Sequence, residues 1–154
     1  MAPFSPFFSI TDDQQQIRGQ FYLDLYARPN KREGAWVDDY QSRRRLADQT
    51  VQIPIAFLTC NFSAPCDKTQ TALLNHEEVL TLFHEFGHGL QHMLTQIEYE
   101  GVSGINGVAW DAVELPSQFL EYFAWEKSII DLISCHEKTR VSLPEDLVLK
   151  DVRR

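Results

Sequence analysis

The 154-residue sequence predicts an α+β fold in which helices predominate. Apolar residues alternate with other residues over 19–26, which is typical of a β-strand. Apolar residues recur at helical spacing over 76–95 and again from residue 109 onward, which indicates two longer helices. We therefore expect part of one domain, with a β-rich and loop-containing part over 1–72 and a helical part over 73–154.

The composition and charge argue against several kinds of partner. Hydrophobic residues make up 44% of the chain and the net charge is −8, so neither nucleic acid nor an anionic membrane is expected as a partner. The first ten residues lack the features of a signal peptide, and no stretch approaches the roughly 20 apolar residues of a membrane helix. Three cysteines without a C-x-x-C spacing predict no disulfide framework, which favours a cytoplasmic location (Cys60, Cys66 and Cys135).

The first third of the chain is predicted to contain a hairpin with a scaffold role, followed by a long loop. Residues 6–27 contain two apolar runs separated by turn-forming residues, so we expect a β-hairpin. Residues 28–52 are polar and charged, and we expect a long loop with at most a turn or two of helix. The run Arg43–Arg45 in this loop is expected to be a solvated face, because the acidic total argues against a nucleic-acid patch.

Residues 53–62 are apolar and favour a β-strand. Pro54 cannot donate a hydrogen bond to a neighbouring strand, so it places the start of this strand at the edge of a sheet. Such an edge could bind an extended peptide through main-chain hydrogen bonds. A packed strand without that role is an equal alternative, and residues 63–72 are expected to form a loop.

The central helix is predicted over residues 76–95. Asn75 and Glu78 have the spacing of a capping box, in which each side chain accepts a hydrogen bond from the other residue's backbone N–H. Apolar residues cover most of the circumference of this helix and leave one polar stripe. The stripe consists of Glu77, Thr81, His84, His88 and His92.

Three glycines over residues 96–108 predict a reversal that brings the chain back past the central helix. A second helix is expected from Ala109 to about Ser134, with a kink at Pro116. A further helix start is expected at 143–146, where a proline lies near the first turn.

Residues 84–88 read His-Glu-Phe-Gly-His, which is the H-E-x-x-H pattern of zinc peptidases. Histidines four residues apart lie on one helical face, so the side chains of His84 and His88 can reach one metal ion. Glu85 is adjacent to the first histidine and is placed to take a proton from a water molecule beside the metal. A hydrogen-bonded core histidine is the ordinary alternative for a single His, but the pattern as a whole favours a metal site.

A catalytic zinc needs a third protein ligand and an open position. His92 lies about 12 Å along the helix axis from His84, which is too far to share the ion. The longer histidine motif is absent too, because the tenth residue after His84 is Leu94. A carboxylate from the second helix is the better source, and Glu114 is favoured because its apolar neighbours leave it needing a charge partner. The candidates are Asp111, Glu114 and Glu121.

Three segments resemble the thimet oligopeptidase family of zinc metallopeptidases, and within it most closely the bacterial oligopeptidase A branch. They are Phe83–Leu90, Val102–Ile105 and Trp110–Glu121, and the likeness extends to 22–28 and 58–62. The resemblance implies the core of a zincin-type catalytic domain, of which residues 1–154 are a part. It also implies hydrolysis of short peptides inside a channel between mostly helical halves.

The resemblance also implies roles for individual residues. His84, His88 and Glu114 would bind one Zn²⁺ per chain, and Glu85 would be the general base that later passes its proton to the leaving amine. Neighbouring polar residues at helical spacing would orient a ligand, while the substrate-binding residues stay unknown. The orienting candidates are Asp111, Gln118 and Glu121.

Two departures from the family pattern limit these expectations. Many relatives have a histidine where this chain has Gln91, which affects a secondary contact but not the zinc ligands. The family's transition-state tyrosines and channel-wall helices have no counterpart in these 154 residues, so weak activity or none is expected.

Three alternatives to an active peptidase remain open. The chain could bind metal without turnover, or it could be a helical module whose histidines are merely buried. It could also be a subunit that is completed by a separate chain carrying the remainder of the catalytic domain.

Overall fold

A computed structural model describes residues 5–65 and 72–144 of the chain. These residues form a four-stranded sheet, a two-stranded ribbon and three α-helices. Helices and strands cover similar lengths of the described part, so the prediction of a mixed α and β fold is confirmed and the predominance of helix is wrong. The elements in chain order are β1 (Phe7–Thr11), β2 (Ile17–Tyr26), β3 (Trp36–Gln41), β4 (Arg44–Arg45), β5 (Val51–Gln52), β6 (Ile55–Phe62), α1 (His76–Met93), α2 (Leu115–Phe123) and α3 (Lys127–Ile133).

The predicted hairpin is confirmed, because β1 and β2 pair antiparallel with Phe8 opposite Phe21. The Asp12 carboxylate accepts hydrogen bonds from the backbone N–H groups of Gln14 and Gln16, at 2.9 Å each. These bonds satisfy backbone N–H groups of the turn, which would pair with a neighbouring strand in a regular sheet. The turn residues therefore determine where the chain reverses.

Strand β6 lies inside the four-stranded sheet, whose order is β1-β2-β6-β3. It pairs parallel with β2 and antiparallel with β3, so the predicted position at a sheet edge is wrong and the packed-strand alternative is right. Pro54 precedes the strand, where its missing N–H leaves no ladder position unpaired, and its carbonyl accepts a bond from the Gln20 N–H. Ala56, Leu58 and Cys60 on β6 have no exposed surface.

The predicted long loop over 28–52 is also wrong, because it contains β3, the edge strand next to β6. Two aspartates in the middle of β3 hide the alternation that identifies a strand in sequence. Asp38 and Asp39 are exposed, which is how an edge strand keeps its free side in water.

The three arginines that follow β3 are paired with acidic residues and are not simply solvated. Glu98 binds Arg43 at 3.2 Å and Arg45 at 2.5 Å, and Glu100 binds Arg44 at 2.8 Å. These bonds attach the β4–β5 ribbon to the segment that follows α1.

Helix α1 begins with the predicted capping box. The Asn75 side chain accepts from the Glu78 N–H, and the Glu78 side chain accepts from the Asn75 N–H, both at 2.9 Å. One face of α1 packs on the sheet, where a small core joins the two layers. That core consists of Phe21, Ala56, Leu58 and Met93, with Phe86 packed against it. No helix among the described residues has the length and apolar character needed to span a membrane.

The predicted second helix is two shorter ones. Residues 109–114 form turns, α2 begins at Leu115, and a break near Ala124 separates it from α3. Pro116 lies in the first turn of α2, where its missing N–H costs nothing, so it starts a helix instead of kinking one. The predicted helix start at 143–146 extends into residues 145–154, which lie outside the described residues.

Candidate metal centre

Helix α1 presents two histidines toward the start of α2. His84 and His88 are one helical turn apart, and their ring centroids are 5.0 Å apart with the planes at 79°. Their Nε2 atoms point to a shared space, because side chains at i and i+4 lie on the same face of a helix.

The carboxylate of Glu114 closes this space from the other side. Its Oε2 atom lies 3.2 Å from His84 Nε2 and 3.1 Å from His88 Nε2. Glu114 is the residue immediately before α2, and the turns over 109–114 carry it there. One ligand atom from each of the three residues lies within 4.8 Å of the other two.

This donor set fits a divalent metal ion such as zinc. Two imidazole nitrogens and a carboxylate oxygen are a common catalytic zinc set, and ligand atoms on a tetrahedral zinc lie roughly 3.3 Å apart. The contacts of 3.1 and 3.2 Å have that spacing. The Glu114 side chain is 50% exposed, so one side of the site is open to solvent.

Electrostatics favour the protonation states that bind a metal. Burial lowers the pKa of His88 despite the opposing charge of Glu114, which favours the neutral imidazole. A hydrogen bond from Ser117 is the largest cause of the lowered pKa of Glu114, against a smaller effect of burial, and the two histidines lower it further. Neutral imidazole and ionised carboxylate are the metal-binding forms.

Glu121, one of the predicted orienting residues, contacts the first histidine. Its Oε1 atom lies 2.5 Å from His84 Nδ1, and the ring N–H donates to the carboxylate. Donation from Nδ1 leaves Nε2 as the lone-pair nitrogen, which is the atom that faces Glu114.

Glu85 follows His84 in α1 and is buried. Its side chain is 6% exposed, and burial raises the pKa of its carboxyl group, with the charge of His84 opposing and that of Glu114 adding. The thiol of Cys60 on β6 is close enough to feel this charge. Burial, followed by Glu85, raises the pKa of that thiol to about 12, so the thiol stays protonated.

The side chains of the remaining sequence candidates form no hydrogen bond or ion pair with the three residues of this cluster. The side chains of Asp111 and Gln118 are exposed and form no hydrogen bond or ion pair with any described residue. His92 is fully buried, and its Nε2 atom donates to the Gln41 carbonyl at 2.9 Å. It therefore joins the end of α1 to β3, in agreement with its exclusion as a ligand.

Two residues that shape the site were not predicted from the sequence. Ser117 is fully buried, and its hydroxyl lies 2.9 Å from Glu114 Oε2 and 2.8 Å from the Glu114 carbonyl oxygen. Gly87 lies in the middle of α1 against the first turn of α2. A signal was present for the glycine, since Gly inside a helix is unfavourable and indicates close packing when it occurs.

Comparison with known proteins gives matches along nearly the whole sequence. Residues 2–153 match Peptidase family M3. The chain is 57% identical over 144 residues to oligopeptidase A of Escherichia coli (strain K12), covering 94% of this chain and 21% of that protein. It is 40% identical over 140 residues to the thimet-like oligopeptidase of Dictyostelium discoideum, covering 90% and 20%.

A more distant match is to saccharolysin of Saccharomyces cerevisiae (strain ATCC 204508 / S288c). The identity is 38% over 130 residues, covering 84% of this chain and 18% of that protein. The chain thus spans about a fifth of the length of these relatives.

Proposed function

The chain belongs to peptidase family M3, and from that premise we propose that it carries the zinc-binding core of an oligopeptidase. The resemblance to the thimet oligopeptidase family and its bacterial oligopeptidase A branch is confirmed. The observation that supports a metal-dependent reaction best is the approach of one Glu114 oxygen to both histidine Nε2 atoms, at 3.2 and 3.1 Å.

In this proposal His84, His88 and Glu114 hold one Zn²⁺ per chain. When bound, zinc supplies a Lewis acid that polarises the scissile carbonyl group and makes water more acidic. Glu121 holds the His84 ring in the tautomer that leaves Nε2 free, through its contact with Nδ1 at 2.5 Å. Asp111 and Gln118 stay predictions as orienting residues, since no contact supports them.

Glu85 acts as the general base. Its carboxylate takes a proton from the attacking water and later gives it to the amine that leaves when the peptide bond breaks. The raised pKa that burial gives this carboxyl group suits both steps, because a base with a pKa nearer neutrality also serves as an acid. The neighbouring thiol of Cys60 takes no part in these steps, because burial keeps it protonated.

The proposed substrates are short peptides and the proposed location is the cytoplasm. Support for the substrate comes from two relatives, which are named oligopeptidase A and thimet-like oligopeptidase. The cytoplasm rests on the cysteines, of which Cys60 and Cys135 are free in the structure.

Hydrolysis of a quenched fluorescent peptide by the zinc-loaded chain tests this function, with Glu85→Gln as the matched control. Gln has nearly the same shape but cannot take a proton, so cleavage should fall by about 10²–10⁴-fold. Zinc content should be equal in the two proteins, because Glu85 is not a ligand. Equal cleavage rates in both would contradict the role of Glu85.

A second candidate is metal binding without turnover, or service as one part of an enzyme that a separate chain completes. It is favoured by large apolar side chains that are exposed on α2 and α3. Phe119, Tyr122 and Leu132 are 59%, 73% and 81% exposed. Zinc binding with no cleavage above the Glu85→Gln control would support metal binding without turnover. Recovery of cleavage on adding the rest of a catalytic domain would support a role as one part of an enzyme.

A further inference from the structure

Helix α1 and the first turn of α2 touch backbone to backbone at Gly87. A Cβ atom added at this position would lie 2.5 Å from the Pro116 carbonyl oxygen and 2.6 Å from the Ser117 Cα. Both neighbours are backbone atoms, which cannot rotate away as the end of a side chain can. Any residue larger than glycine therefore forces the two helices apart.

Glycine in this position has a measurable cost. In a helix interior it is about 1 kcal/mol less favourable than alanine. Gly87 lies in the middle of the 18-residue helix α1, so neither a turn nor a cap requires it there. The close approach of α2 is the structural feature that the glycine permits.

The contact point lies two and three residues beyond Glu114. A Cβ atom at position 87 would lie 2.5 Å from the Pro116 oxygen, and an ordinary contact is roughly 3.5 Å. Relieving this clash means a shift of about 1 Å in the start of α2. Metal–ligand distances vary by only about ±0.2 Å in a working site. A shift of that size would carry the Glu114 carboxylate out of reach of an ion held by the two histidines.

Ser117 connects this contact to the ligand itself. Its fully buried hydroxyl lies 2.9 Å from Glu114 Oε2, the oxygen that faces both histidines. The same hydroxyl lies 2.8 Å from the Glu114 carbonyl oxygen, so the residue bridges the backbone and the carboxylate. The backbone that meets Gly87 is therefore the backbone that holds Ser117 against Glu114.

We propose that the contact between Gly87 and Ser117 positions Glu114 as the third metal ligand. Gly87 and Ser117 are positioning residues, because neither lies among the three ligands and both act through Glu114. The proposal rests on the metal site of the proposed function. It explains how α1 and α2 are held at the spacing that this site needs.

Zinc affinity of the full chain, measured by competition with a chromophoric chelator, tests the proposal. Gly87→Ala should weaken zinc binding by about 10–100-fold, the usual effect of changing a residue that supports a ligand. Ser117→Ala, which adds no bulk, should weaken it in the same direction. Gly89→Ala is the matched control in the same helix, because its Cβ would meet the Leu58 side chain at 3.1 Å and leave α2 untouched.

A double-mutant cycle separates positioning from a general loss of packing. In a Glu114→Ala background, Gly87→Ala should not lower further the weak zinc affinity that the two histidines retain, because the ligand that it positions is already gone. Additive losses in that background would overturn the proposal. Circular dichroism of the metal-free proteins checks that each variant is folded.

Three other outcomes are informative. Wild-type affinity in a folded Gly87→Ala protein would overturn the proposal and leave the metal site standing. If Gly87→Ala does not fold, Ser117→Ala decides, since unchanged affinity there would overturn the proposal and weakened affinity would support it. No zinc binding by the wild type would instead contradict the proposed function.

Discussion

The two sides of the candidate site are held in different ways. On the sheet side, Leu58 and Met93 have no exposed surface and form a core between β6 and α1. On the α2 and α3 side, Leu115, Tyr122 and Leu132 are 71%, 73% and 81% exposed. Ala124 and Ile130 are buried on this second side, but most of its large apolar side chains are exposed, so buried apolar area stabilises the sheet side more strongly.

The metal ligands lie across this boundary. His84 and His88 belong to α1, which packs on the sheet, and Glu114 belongs to the side that buries fewer large apolar side chains. A rigid half can therefore supply two ligands by local helical geometry alone. The third ligand depends on how the second half is attached.

The largest difference in stability should come from shortening a leucine on each side. Leu58→Ala removes a fully buried side chain from the core and should lower the free energy of unfolding by about 2–5 kcal/mol. Leu132→Ala is the matched change at a residue 81% exposed, and it should stay within about 0.5 kcal/mol. Urea unfolding of both variants measures the difference, and equal losses would contradict the proposed contrast between the two sides.

Zinc should reduce the contrast by joining the two sides. With free zinc at 100 times its dissociation constant, the free energy of unfolding should rise by about 2.7 kcal/mol, because the metal binds the folded chain. Removal of zinc with a chelator should reverse this gain. The Glu114→Ala protein serves as the control, and a similar gain in that variant would mean that α2 takes no part in binding.

Loss of the α1 cap should have a smaller effect. Asn75→Ala removes the acceptor of the Glu78 N–H at 2.9 Å and should cost about 1 kcal/mol. The change lies nine residues before His84, so zinc affinity should stay at the wild-type value when the protein is folded. Thermal unfolding and zinc titration check the two parts, and a large loss of affinity would show that the helix is not a rigid support.

The smallest effect should be a dependence on acid pH at Asp24, on the sheet side. Burial alone would raise the pKa of this carboxyl group, but hydrogen bonds from Arg28 and Lys31 outweigh it and lower the pKa overall. A lowered folded pKa means that the stabilisation is complete above the unfolded value near 3.9. It is then lost as the pH falls through the folded value.

Unfolding at a series of acid pH values, with Asp24→Asn beside the wild type, measures this contribution. The variant cannot ionise, so its stability should fall less steeply with acid than that of the wild type. The opposing effect of burial is why we expect the difference to be modest. Parallel curves would show that Asp24 does not contribute.

Features that depend on local spacing were predictable from sequence. The capping box at Asn75 and the shared face of His84 and His88 follow from positions three and four residues apart. Spacing alone left Glu114 among three candidates, and the resemblance to a family selected it. The α1 helix and the hairpin were found because each has a clear periodicity.

Features that depend on the tertiary arrangement were missed. Asp38 and Asp39 concealed β3, since a strand at a sheet edge tolerates charges that a sequence pattern treats as loop. Pro116 was interpreted as a kink because a proline in the first turn and one in the middle of a helix look alike until the start is known. Gly87 became meaningful only when α2 was seen against it.

The most direct test of the account is the zinc content of the purified chain by elemental mass spectrometry, wild type beside Glu114→Ala. We expect about one zinc per wild-type chain and loss of that zinc in the variant, since two histidines alone make an incomplete site. No zinc in the wild type after supplementation of the medium would contradict the account. Full zinc content in both proteins would contradict the assignment of Glu114 as the third ligand.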